Sequence, residues 1–407
     1  MECYLDNSAT TRCSERAAET VNKVLLSDYG NPSSLHNKGM EAENYIKEAR
    51  SAVAKSLKCK ENCICFTSGG SESNNLAIFG SLFANKRLGK HIITTEVEHA
   101  AVYSPMKKLQ EMGYEVSFLK VDPWGKIDLV ELESLIREDT ALVSIMHVNN
   151  EIGTIEPIEE AAKLVHKLNP NTIFHCDAIQ SYGKLPLYPG RIGVDLMSVS
   201  GHKIHAPKGS GFLYIKEGLK MEPLIYGGGH ENGLRSGTEN VPAIAGLSCA
   251  VEEMFKEDHT KKLCKLKAEF IKRIIETEGI SVNGVKAEII NEIKGSDPVD
   301  EKLIDKLIEE KEDFGAFHIV SVSAEGVRAE VLLHALEEEG VYCSAGSACS
   351  SNRPAISRTL LAIGLDEKLL DSTVRFSFSI YTTVDEILYA CEKINEIIPR
   401  LNKYTRK

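Results

Sequence analysis

From about residue 60 to residue 216 the chain alternates short β-rich runs with helical stretches, and that rhythm admits few architectures. The runs 63–66, 92–95, 116–121, 142–148, 172–176, 196–199 and 211–215 read as strands, with helices at 76–83 and 158–168 among the segments between them. Strands that alternate with helices predict an α/β domain with a largely parallel sheet flanked by helices. Ligands of such sheets sit at the carboxyl ends of the strands, so the chemistry is sought there.

The pattern changes after residue 240. Long amphipathic helices at 243–255 and 262–277 lead into a second region with few strands, and a division near residue 260 follows. One strand of that region, 374–380, alternates Phe376, Phe378 and Ile380 on one face with Arg375, Ser377 and Ser379 on the other. The final helix opens with a capping box, Thr383 and Glu386, and runs apolar through Ile387, Cys391, Ile394, Ile398 and Leu401. A chain of 407 residues exceeds the usual single core, which agrees with two domains. There is no internal repeat and no low-complexity tract.

Composition narrows the function. With 43% hydrophobic and 26% charged residues the chain reads as a folded globular protein. Its net charge of -11 argues against phosphate-backbone binding as a main task, because such sites need a concentrated positive field. No run approaches the roughly 18 apolar residues of a membrane span, and Met1-Glu2-Cys3-Tyr4-Leu5-Asp6 has no basic segment followed by an apolar one. A cytoplasmic protein is expected. Its 11 cysteines are odd in number and irregularly spaced, which fits a reducing compartment better than a disulfide framework. Cys59, Cys63 and Cys65 could suggest a metal, but Cys63 and Cys65 alternate with Ile64 and Phe66 in an apolar strand. No nearby Cys or His pair completes four ligands, so core thiols are expected and no metal.

Three stretches carry chemistry. Thr67-Ser68-Gly69-Gly70-Ser71-Glu72-Ser73-Asn74-Asn75 follows a strand and opens a helix; its glycines allow a tight turn, and free amides at a helix start favour an anion such as a phosphate. Such turns also arise for geometric reasons alone. In Ser198-Val199-Ser200-Gly201-His202-Lys203, a lysine at a strand terminus beside hydroxyl and imidazole groups has surroundings suited to Schiff-base formation, the alternative being a surface lysine in a turn. His175-Cys176-Asp177-Ala178-Ile179-Gln180 places a carboxylate at another strand end, where it could hold a proton on a pyridine nitrogen or merely cap a helix.

In this order the three elements resemble the fold-type I pyridoxal-phosphate (PLP) enzymes of the class-V aminotransferase family. The resemblance sharpens to the group I cysteine desulfurases of the NifS/IscS type. It extends over nearly the whole chain, through Tyr4-Leu5-Asp6-Asn7-Ser8-Ala9-Thr10-Thr11, Gly30-Asn31-Pro32-Ser33-Ser34-Leu35-His36, Glu98-His99, His147-Val148-Asn149-Asn150-Glu151-Ile152-Gly153, Gly227-Gly228-Gly229-His230-Glu231 and Arg235-Ser236-Gly237-Thr238. Ser347-Ala348-Cys349 resembles the catalytic-cysteine loop that separates group I from group II.

The resemblance implies a large PLP-binding domain over 14–260 and a smaller α+β domain from 1–13 and 261–407 that carries the cysteine loop. It makes Lys203 the residue that holds PLP covalently, Asp177 the partner of the pyridine nitrogen, and Gln180 that of the ring hydroxyl oxygen. His99 would stack on the ring and take part in proton transfer, and Gly70, Ser71, Ser200 and His202 would hold the phosphate. Thr238 would reach the phosphate of a neighbouring subunit, which implies a homodimer. Asn150 and Arg375 would bind the carboxylate of L-cysteine, a task that suits a planar, bidentate guanidinium. Cys349 would take the sulfur as a persulfide, leave alanine, and pass the sulfur to an acceptor: an iron–sulfur scaffold, a tRNA-thiolation enzyme or a thiamin-pathway protein. Ser8 stands where the family usually has Asn, Gly70 where Ala is frequent, and Ala206 where Gly often precedes Pro-Lys-Gly. The loop Ser350-Ser351-Asn352-Arg353-Pro354-Ala355-Ile356-Ser357-Arg358 differs from the more familiar sequence, and acceptor choice is what that leaves open. The competing readings are another fold-type I activity, an aminotransferase or selenocysteine lyase, and a sulfur-relay scaffold without catalysis.

Overall fold

A computed structural model describes residues 1–345 and 356–405. Seven strands make one sheet: β1 (Ile64–Thr67), β2 (His91–Thr95), β3 (Glu115–Leu119), β4 (Thr140–Met146), β5 (Ile173–Asp177), β6 (Leu196–Ser200) and β7 (Gly211–Ile215). Their order is β1-β7-β6-β5-β4-β2-β3. Strand β7 runs antiparallel to both its neighbours, and the other pairs are parallel. The α/β expectation is met by a mixed, mostly parallel sheet.

Every strand but the edge strand β3 is buried along its whole length, because both faces are covered. Successive residues point to opposite faces. Thus Phe66, Ile93, Val143, Phe174 and Met197 join the core under the helices Asn37–Leu57, Ile158–Leu168 and Val241–Met254. Their neighbours Cys65, Ile92, Leu142, Ile173 and Leu196 join the opposite core, with Ile78, Met106 and Leu109. The predicted helix 76–83 is the end of a longer element that starts at Gly70, passes through a π-helical turn at Leu76–Gly80 and stops at Ala84. Strand 116–121 ends at Leu119 because the chain turns there, with Lys120 N donating to Glu131 Oε2 at 3.2 Å.

A second sheet lies beyond residue 260. Its order is Ser344–Ala345, Thr373–Ser377, Ile319–Ala324, Ile280–Asn283, all antiparallel. It packs with the helix Thr260–Ile274 and the final helix Val384–Thr405, burying Phe270, Val322, Phe376, Phe378, Ile394 and Ile398. The strand predicted to reach Ile380 stops at Ser377, where Phe378 N bonds the His318 carbonyl at 2.9 Å and Thr382 N closes a turn on Ser379 at 3.1 Å. The capping box is present: Thr383 N donates to Glu386 Oε2 at 2.7 Å, and Glu386 N to Thr383 Oγ1 at 3.2 Å.

Cys3 and Leu5 belong to this second core. Cys3–Tyr4 pairs in parallel with Val341–Tyr342, and the chain then crosses to the large sheet, where Thr11 N bonds the His202 carbonyl at 2.9 Å. The N-terminal segment therefore lies across the carboxyl edge of the large sheet, where the candidate residues converge. Among the described residues no helix is long and apolar enough to cross a membrane, and no cluster of three or more His, Cys, Asp or Glu could hold a metal.

Candidate active site

Asp177 is the last residue of β5, and it is buried. Its Oδ2 accepts from Asn74 Nδ2 at 2.8 Å and its Oδ1 from Ile179 N at 3.0 Å. Burial pushes its carboxyl up, while the Ile179 amide, His99, Asn74 and Lys203 pull it back down. A cationic ring nitrogen beside it would restore the anion. Beneath it His175 bridges Ser144 Oγ and Ser198 Oγ at 2.8 and 2.9 Å, and desolvation holds its pKa down to about 3, so the support is neutral.

Strand β6 ends at Ser200 and tightens into the 3₁₀ turn Gly201–Lys203. That turn presents Lys203, whose Nζ donates to the carbonyls of Ser8 and, at 2.8 Å, Ala9. His202 Nδ1 lies 3.2 Å from Thr10 Oγ1, and desolvation lowers its pKa to about 4. The turn after β1 packs against these exits. Gly69 adopts φ 149°, a conformation that favours glycine, and a Cβ on Gly70 would collide with Ile179 Cδ1.

His99 follows β2 as the N-cap of the helix Ala100–Glu111, its Nδ1 accepting from Ala101 N at 3.1 Å. Desolvation lowers its pKa, with Asp177 opposing and Lys203 adding to the shift. The ring is therefore neutral, and its proton sits on Nε2. Arg375 is buried at 3% exposure; Nη2 pairs with Asp6 Oδ1 and Nη1 donates to the Asn150 backbone carbonyl, each at 2.8 Å. Asn150 is held by a loop in which Asn149 Oδ1 accepts from Glu151 N at 2.8 Å and Ile152 N at 3.0 Å.

Gly70, Ser71, His99, Asn150, Asp177, Gln180, Ser200, His202, Lys203 and Arg375 all line one cavity of about 210 Å³. Thr238 does not. It is exposed and lines a separate cleft with Phe66, Ser68 and Arg235. Cys349 lies outside the described residues. Sequence reasoning missed Asn74, which holds Asp177 from four positions after Gly70 on the same helical face, a spacing that could have revealed it. It also missed Asp6, which pairs with Arg375, and the role of Ser8 and Ala9, which act through backbone carbonyls and so leave no side-chain signature.

The site fits PLP on its own chemistry. Among the described residues that line the cavity, four buried polar atoms have no hydrogen-bond partner: Ser8 Oγ, Gln180 Oε1, Ser200 Oγ and Arg375 Nε. Buried groups left in that state are costly, and a polar ligand satisfies them. Next to the cavity, Ser68, Gly69, Gly70, Ser71, Ser200 and His202 line an opening at the start of the helical run, where free amides favour a phosphate.

Comparison with known proteins agrees. The class-V aminotransferase family model matches residues 3–294 and 305–389. Cysteine desulfurase IscS of Dictyoglomus turgidum is 40% identical over 404 residues, spanning 98% of this chain and 95% of that protein. Putative cysteine desulfurase IscS 1 of Bacillus subtilis is 37% identical over 403 residues, spanning 98% and 99%. Among solved structures, a NifS-like protein superposes with a TM-score of 0.86 at 36% identity, covering 98% of this chain and 100% of that one. The structure titled SspA in complex with cysteine superposes at 0.77 and 32% identity, covering 94% and 100%. The chain belongs to the class-V aminotransferase family, among its cysteine desulfurases.

Proposed function

We propose that this protein is a PLP-dependent cysteine desulfurase that converts L-cysteine to L-alanine and carries the sulfur away as a persulfide on Cys349. The observation that carries the reading is the convergence of Lys203, Asp177, His99 and Arg375 on one cavity, lined by buried polar atoms that await partners.

When bound, PLP supplies an electron sink for the bonding pair left on the substrate α-carbon. Lys203 would hold it covalently, and the freed amine would take and return the α-proton. Asp177 would keep a proton on the ring nitrogen, Gln180 would meet the ring hydroxyl oxygen, and Gly70, Ser71, Ser200 and His202 would hold the phosphate. His99, neutral and with its proton on Nε2, would offer the bound cofactor a donor rather than a cation. Arg375 is already fixed by Asp6 and the Asn150 carbonyl, so with Asn150 it can receive the substrate carboxylate without reordering. The Cys349 thiolate attacks the substrate sulfur; the S–S bond forms as the C–S bond breaks, and the carbon keeps the electron pair and takes a proton to become the methyl group of alanine.

The domain limits carry over as part of the reading: a large domain over 14–260 and a small one from 1–13 and 261–407. So does a homodimer in which Thr238 serves the neighbouring phosphate. Its support is a set of large apolar side chains open to solvent, Leu25, Leu26, Tyr29, Leu35, Met40 and Tyr226, with Leu35 fully exposed. Sedimentation should return a dimer, and Thr238→Val should release PLP faster; a fully active monomer would contradict both. The sulfur acceptor is a protein, an iron–sulfur scaffold or a tRNA-thiolation or thiamin-pathway enzyme. The acidic chain itself binds neither nucleic acid nor membrane and works in the cytoplasm.

Lys203→Ala tests the reading directly. Borohydride reduction of the wild type with PLP should fix the cofactor to the Lys203 peptide, and the variant should fix none and form no alanine from cysteine. Attachment through another lysine would defeat the assignment.

A further inference from the structure

Two backbone carbonyls behind the cavity, those of Gln180 and Lys203, converge on one amine. Lys184 Nζ donates to Gln180 O at 3.3 Å and to Lys203 O at 3.1 Å. The turn that delivers this side chain is tight: Lys184 N and Leu185 N both bond Ser181 O at 3.0 Å. Gly183 reverses the chain at φ 76°, where a Cβ would stand 2.7 Å from Met254 Cγ.

The two carbonyls belong to different loops. The β5–β6 ladder ends with Asp177 opposite Ser198, and one more amide, from Ala178 to Ser198 O, continues it. Past that point the loops carry Gln180 and Lys203 separately, and Lys184 spans them. Among the described residues Lys184 makes no ion pair, and the charged group acting on it is Lys203. Desolvation, and then Lys203, push its pKa down to about 7. An amine placed there without an anion is costly, and two hydrogen bonds to the cofactor-holding loops are what it contributes in return.

We propose that Lys184 is a positioning residue for the cofactor site: by holding both carbonyls it sets the distance between the Gln180 side chain and Lys203 Nζ, which must meet the same ring. The inference rests on the PLP reading above. Lys184 touches neither the cavity nor the substrate; it acts through the two loops.

The test uses the full-length wild type, Lys184→Met and Lys184→Gln, each stripped of cofactor and titrated with PLP. The visible absorbance of each reloaded protein is then followed against pH. Lys184→Met should bind PLP about tenfold more weakly and shift the pH of its absorbance transition, while Lys184→Gln, which keeps a donor, should recover part of the affinity. Unchanged affinity and an unmoved transition in the folded variants would overturn the proposal. If circular dichroism shows Lys184→Met unfolded, Lys184→Gln alone decides: weaker binding than wild type supports the role, and equal binding overturns it. A wild type that takes no PLP onto Lys203 would instead sink the functional reading.

Discussion

Glu156 is buried, with Oε2 accepting from Ile127 N at 3.0 Å and Oε1 accepting nothing. Desolvation pushes its carboxyl up to about 8, against the pull of the Ile127 amide and Lys126. A carboxyl raised on folding contributes stability below its unfolded pKa, near 4.5, and loses that contribution as pH rises through about 8. Glu156→Gln keeps the shape and cannot ionise. Its melting temperature relative to wild type should therefore be higher at about pH 9 than at about pH 5, by the equivalent of about 1 kcal/mol or more. An offset that does not change with pH would show that the group does not titrate in that range. Nothing in the local sequence marks Glu156 as buried, because it follows Ile155 in a polar connection and is covered by distant chain. Asp177 and Lys203 were legible because Asp177 ends a strand and Lys203 sits in the turn that follows one, and a polar residue there projects beyond the sheet edge.

The strands were readable as elements because each supplies side chains to two cores at once. Their ends were less so: β3 and the strand Thr373–Ser377 both stop where a partner distant in sequence takes the next amide. Register also carries the glycine-rich loop after β1. A Cβ on Gly211, the first residue of β7, would stand 2.7 Å from both Gly69 Cα and the Val199 carbonyl, so backbone rather than a side-chain tip would have to move. Gly211→Ala should destabilise the protein by about 1–3 kcal/mol in chemical denaturation. It should also speed PLP release, because it pushes on the loop that opens at Gly69. Unchanged release with lowered stability would separate the loop from the strand that supports it.

A seven-stranded sheet, a four-stranded sheet and a crossing N-terminal segment organise the described residues. The switch from strand-helix alternation to long helices announced the second region, but the return of residues 3–14 to both regions had no such mark, since it depends on one short parallel pairing and on backbone carbonyls. This crossing brings Asp6 to Arg375 and the carbonyls of Ser8 and Ala9 to Lys203. Both described flanks of the cysteine-bearing segment also end beside the cavity. Ser344 pairs with Arg375, and Ser357 Oγ donates to Glu151 Oε2 at 2.5 Å, next to Asn150. Cys343, one residue before that pairing, is buried, and desolvation raises its thiol to about 12, which makes it a poor nucleophile at neutral pH. Sulfur transfer is therefore proposed for Cys349 and not for Cys343. The direct measurement is to incubate wild type, Cys349→Ala and Cys343→Ala with L-cysteine in the absence of reductant and map persulfides by alkylation and mass spectrometry. Persulfide should appear at Cys349 in the wild type and in Cys343→Ala, while Cys349→Ala should bind PLP and cysteine yet form no persulfide and almost no alanine. Persulfide at Cys343 with Cys349 unmodified, or full alanine production by Cys349→Ala, would contradict the account.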